Sequence, residues 1–95
     1  MSEVIDKAVE ALQERLSDGF DGTVKFVIED EGAVMVDEDG VRAGDEEAEC
    51  TLTASSETFQ GIMSGDVNPT AAFMTGKLKL DGDMGMAMKL GSALS

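Results

Sequence analysis

The chain holds 95 residues with no histidine and a single cysteine, Cys50, against twenty Asp and Glu. Without imidazole there is no Ser-His or Cys-His nucleophilic pair and no histidine metal ligand. One thiol excludes an intrachain disulfide, a CxxC redox pair and a thiolate zinc cage. Cys50 alternates with Ala48, Leu52 and Ala54 on the inward side of a strand-like run, where a thiol acts as a small hydrophobe and no neighbour activates it. Two acidic stretches, Asp37-Glu38-Asp39-Gly40 and Asp81-Gly82-Asp83, resemble pieces of calcium loops. Neither continues with a bidentate Glu in register, so both read as turns. No GxGxxG and no phosphate-loop Lys-Ser/Thr is present. An enzyme is not excluded by these residues, but nothing in them supports one, and no catalytic residue, metal or cofactor is expected.

What the sequence does concentrate is flexible apolar side chains. Formal net charge is −13, but it is unevenly placed. Residues 1–60 carry 17 acids and 4 bases, whereas residues 61–95 carry three of each. Five of the seven methionines (Met63, Met74, Met84, Met86 and Met88) fall in the neutral part. Methionine fills irregular, changeable space and is over-used at promiscuous binding surfaces. The overall acidity argues against nucleic acid and against anionic membrane as partners, because phosphates reward Lys and Arg. No apolar run approaches the roughly 20 residues of a membrane span, and MSEVIDKAVE has acids where a secretory signal has bases. A cytoplasmic location without stable membrane insertion is expected. No linker-like run divides the chain, so residues 1–95 read as one domain.

These side chains must be positioned by a small set of elements. Ile5, Val9, Leu12 and Leu16 recur at helical spacing over 3–17, with Glu3 and Asp6 in the first turn. Residues 23–30, 33–37, 41–43 and 48–54 read as strands joined by Asp30-Glu31-Gly32 and Asp39-Gly40 turns. Consecutive short strands imply an antiparallel meander with one wet face that carries much of the acid. The period then changes. Ser55 or Ser56 caps a helix over 56–64, Asn68-Pro69 starts a short one over 69–75, and KLKLD at 77–81 is a strand. A last helix, 84–94, has Lys89 as its only charge. Met84, Met88 and Gly91 share one side of it, and Met86, Leu90 and Leu94 another, which leaves little polar face for an ordinary surface helix.

Residues 55–94, and above all NPTAAFMTGKLKLDGDMGMAMKL, resemble the sterol carrier protein type-2 domain, the non-specific lipid-transfer family. The N-terminal part agrees in the order of its elements. The resemblance implies an α+β sandwich: a five-stranded, mostly antiparallel sheet with helices on one face and a hydrophobic tunnel between them. It implies binding or transfer of fatty acids, fatty acyl-CoA, sterol-like molecules or phospholipids, and no catalysis. The chain ends Ser-Ala-Leu-Ser and not in a Ser-Lys-Leu signal, so peroxisomal targeting is not expected.

Tunnel-lining residues are assigned by position in this sequence. Phe26 and Ile28 come from the first strand, Phe59, Ile62 and Met63 from the second helix, Phe73 and Met74 from the third. Leu78 and Leu80 come from the last strand, and Met84, Met86, Met88 and Leu90 from the last helix. Lys89 is the candidate for the ligand head group. An empty rigid cavity of this kind is costly, so Met84, Met86 and Met88 are expected to collapse into it when no ligand is bound. The expected partner is a lipid or fatty acyl ligand, and the expected state a monomer or weak dimer. Two other readings compete: a protein-interaction or dimerisation module that uses the last helix, and an accessory domain that presents lipid to an enzyme.

Overall fold

The computed structural model describes residues 3–17 and 19–94, the side chain of Leu94 excepted. The elements run α1 (Glu3–Arg15), β1 (Val24–Ile28), β2 (Gly32–Asp37), β3 (Gly40–Ala43), β4 (Cys50–Ala54), α2 (Ser56–Ser64), α3 (Pro69–Met74), β5 (Leu78–Gly82) and α4 (Met84–Leu94). Each lies within a residue or two of its sequence expectation.

The strands form one sheet in the order β3-β2-β1-β4-β5. β1–β2, β2–β3 and β4–β5 pair antiparallel, but β1 and β4 pair parallel, with Phe26 opposite Leu52. The expected simple meander therefore stops after β3. The chain then recrosses the sheet through residues 44–49 to place β4 on the free side of β1. A parallel neighbour cannot be reached by a hairpin, so the crossover is obligatory.

One sheet face carries the core. Val24, Phe26 and Ile28 lie beside Val34 and Val36 on one side and Cys50, Leu52 and Ala54 on the other, all buried. The helices close this face. Ile5, Ala8 and Leu12 are the buried stripe of α1, which Gln13 Nε2 ties to the Val41 carbonyl at 3.0 Å. The Arg15 guanidinium donates to the Met63 carbonyl and joins α1 to the end of α2.

The opposite face differs from the expected acidic wet face. Its strand positions include Lys25, Val27, Met35, Thr51 and Thr53. Met35 is 1 % exposed although it lies outside the main core cluster. The 44–49 strap runs here: Lys25 Nζ meets Asp45 at 2.8 Å, and a side chain on Gly44 would touch Met35. Many of the acids of the first sixty residues sit in the turns and on this strap, where Glu38, Asp39, Asp45, Glu46 and Glu47 are exposed. Strand positions would have cost them cross-strand repulsion.

Three local features fix the second half. Ser55 is the N-cap of α2, its hydroxyl accepting from Thr58 N at 3.1 Å, and Gly65 closes that helix at φ 87°. Asn68 Oδ1 accepts from Thr70 N at 2.8 Å and Ala71 N at 3.2 Å, with Pro69 at the first helical position. Gly82 ends β5 at φ 109°, where a Cβ would stand 2.3 Å from the Glu49 carbonyl oxygen. This close approach lets Asp83 start α4 directly, its carboxylate accepting from Met86 N at 3.2 Å.

Candidate functional site

An apolar cavity of about 380 Å³ opens between the sheet and the last two helices. Phe26 of β1, Leu52 of β4, and Leu78 and Leu80 of β5 form its sheet side. Ile62 of α2 backs it, Phe73 and Met74 of α3 form one lip, and Met84, Ala87, Met88 and Gly91 of α4 the other. Asn68, Thr70 and Ser92 are its polar residues, and no charged side chain lines it.

The register explains why it exists. Leu80 pairs with Leu52, and Leu52 with Phe26, so three apolar side chains line up across three strands on the helix-facing side. α4 covers this row only in part. Leu90 is fully buried, whereas Met84 is 53 % and Met88 69 % exposed. Together with Phe73 and Met74 these are the only large hydrophobic side chains that are exposed among the described residues, and all four line this cavity. Exposed apolar area gathered at one place marks an interaction or ligand site.

Nine of the thirteen residues assigned to the lining from sequence meet here: Phe26, Ile62, Phe73, Met74, Leu78, Leu80, Met84, Met88 and Leu90. The other four lie elsewhere. Ile28 is buried in the core at the far end of β1. Phe59 and Met63 line a second cavity of about 420 Å³ between α1 and α2. Met86 packs toward Gly22, beside an acidic depression. Leu52, Asn68, Pro69, Thr70, Ala87, Gly91 and Ser92 also line it, although the sequence reading does not assign them to the lining. Leu52 alternates on the same face as Phe26, and Ala87 and Gly91 extend the Met84–Met88 stripe at helical spacing, so these three carried a signal. Asn68-Pro69 read only as a helix start.

Lys89 is placed at the acidic depression, which Asp21, Asp37, Glu38, Asp39, Glu49 and Asp83 also line. Its Nζ stands 3.0 Å from an Asp21 carboxylate oxygen and 5.6 Å from the centre of the Phe20 ring. At one rim, Arg42 bonds Asp37 at 2.7 Å and holds that carboxyl below the usual Asp range. Among the described residues no group of side chains could hold a metal ion, and no helix is long and apolar enough to cross a membrane. Cys50 is fully buried, and burial pushes its thiol up, with the nearby Asp83 and Asp81 carboxylates adding to the shift.

The model of the SCP-2 sterol transfer family matches residues 3–95. The chain belongs to that family. Human sterol carrier protein 2 is 50% identical over 46 residues, which are 48% of this chain and 8% of the human protein. Bovine hydroxysteroid dehydrogenase-like protein 2 is 33% identical over 91 residues, 95% of this chain and 21% of that protein. The chain thus corresponds to a small part of these larger relatives. Among solved structures, sterol carrier protein-2 of Aedes aegypti in complex with the C16 fatty acid palmitate superposes with a TM-score of 0.80 at 20% identity, covering 100% of this chain and 97% of that one. The SCP-2 fold is therefore matched from end to end: five strands, mostly antiparallel, with the helices on one face.

Proposed function

We propose that this SCP-2 family chain is a non-catalytic intracellular lipid carrier. Its ligand is a fatty acid or another lipid with a flexible acyl chain, and the chain enters the cavity between β5, α3 and α4. The observation that carries this reading is the coincidence of the exposed apolar residues with the rim of one uncharged cavity. The fatty acid bound by the Aedes aegypti relative supports the ligand class. Each methylene moved from water into such a space contributes about 0.8 kcal/mol, so a buried chain of about ten supplies on the order of 8 kcal/mol before the cost of association. Head-group selectivity is low in this scheme, because the cavity's polar residues are neutral.

The test is native mass spectrometry of delipidated protein mixed with palmitate, together with displacement of a fluorescent fatty-acid probe. A one-to-one complex with concentration-dependent displacement is expected. A clean apo mass with no displacement overturns the reading.

A second reading rests on α4 itself, where the exposure of Met84 and Met88 would also suit a protein partner or a second copy. Sedimentation velocity over a concentration series separates the two. A tight dimer that takes up no lipid favours the interaction module.

A further inference from the structure

The first cavity and the second, whose lining also includes Glu3, Lys7, Gln60 and Ser64, are separated by a pair of phenylalanine rings. Phe26 lines the first and Phe59 the second, and their rings touch edge to face, with centroids 5.5 Å apart and planes at 71°. Next in α2, Ile62 faces the first cavity and its neighbour Met63 the second. Phe26, Phe59 and Ile62 are all buried, at 3 %, 2 % and 4 % exposure. The second cavity is as large as the first, about 420 Å³ against 380 Å³, and Val4, Ala8 and Ala11 of α1 form its other side. The small alanines leave room there that a larger α1 residue would fill.

We propose that the Phe26–Phe59 pair is a partition that sets the length of acyl chain the protein holds. This rests on the lipid-binding reading above. With the rings in contact, a chain entering past Met84 and Met88 ends against Phe26. With the Phe59 ring removed, the same chain runs on into the space beside Ala8 and Ala11. Phe59 is thus a specificity-determining residue: it limits the ligand without lining the cavity the ligand enters. The partition also separates an uncharged cavity from one whose rim carries Glu3 and Lys7, so an extended ligand would bring its far end to charged side chains.

The experiment is a displacement series of saturated fatty acids from octanoate to stearate, on the wild-type chain and on Phe59→Ala. Each methylene that finds apolar space tightens binding about fourfold. For the wild type this gain should stop part-way along the series. For Phe59→Ala it should continue to longer chains, so that the two proteins agree for octanoate and diverge tenfold or more for stearate. Adding Ala11→Glu to Phe59→Ala places a carboxylate in the second cavity and should remove the long-chain gain. A uniform loosening of the core would not respond in that way.

Thermal melts report the fold of each variant. If Phe59→Ala does not fold, Phe59→Leu decides, with a smaller shift expected in the same direction. Identical chain-length profiles in wild type and variant overturn the partition, as does a wild-type profile with no plateau. If the wild type binds no fatty acid at all, the lipid reading falls and the partition with it. The profile outcomes overturn the partition alone.

Discussion

Lys89 and Asp21 are joined across 68 positions of sequence by a 3.0 Å ion pair, and the same ammonium lies over the Phe20 ring. The pair ties α4 to the loop before β1, and Lys89 lines a different depression from Met84 and Met88. Both members are largely exposed, so the contact is worth at most about 1 kcal/mol and weakens with salt.

Lys89→Ala should therefore cost little stability and leave fatty-acid affinity within about twofold. Probe displacement at low ionic strength measures it. A tenfold loss, selective for anionic lipids, would mean that the ammonium leaves Asp21 and reaches the ligand head group.

Two positions on α4 should respond in opposite ways. Leu90 is fully buried, and Leu90→Ala should cost about 2–5 kcal/mol. In a domain of this size each kcal/mol lowers Tm by about 4–8 °C. Met88, 69 % exposed, should tolerate Glu with a stability change within about 0.5 kcal/mol. The carboxylate at the cavity lip should nonetheless weaken lipid binding by on the order of tenfold or more. Thermal melts and displacement titrations on the same two variants give the comparison.

Acid should release the Asp37–Arg42 pair. The Arg42 hydrogen bond lowers the Asp37 pKa in the folded state. Its contribution is thus fully present above the unfolded value of about 3.9 and is lost as pH falls through the lower folded value. Asp37→Asn should be less stable than wild type at neutral pH, and the gap should close below about pH 4. Chemical denaturation at several pH values reads this directly. A gap independent of pH would show that the loss does not come from the charge of the Asp37 carboxylate.

Cys50 should be inert in the native protein. It is buried between Val24 and Gly82 in the sheet, and its thiol titrates above the ordinary range. A thiol-reactive dye at about pH 8 should label it only at the rate of unfolding. Rapid stoichiometric labelling of folded protein would contradict its placement.

The positions of helices and strands were legible because periodicity is local. Ser55, Gly65 and Asn68-Pro69 announce their helix ends by chemistry that acts within three residues. The parallel β1–β4 pairing was not legible. Alternation says which face Leu52 occupies but not which strand lies beside it, and the 44–49 strap carries no helix to signal a crossover. The apolar row Phe26–Leu52–Leu80 and the Met84–Met88 lip follow from face and stripe. The division of α2, with Ile62 toward one cavity and Met63 toward another, depends on the angle at which the helix crosses the sheet, which no pattern of single residues encodes. Lys89 stood out as the only charge on α4, yet its direction was set by Asp21, far away in sequence.

The uneven charge has a consequence for how the protein meets a surface. No charged side chain lines the cavity, while the excess of 13 negative charges lies in residues 1–60. The sequence is therefore electrically lopsided. An anionic bilayer repels these acids within a Debye length of about 8 Å at physiological ionic strength. Binding to vesicles should therefore weaken as their anionic lipid fraction rises and recover as salt is added.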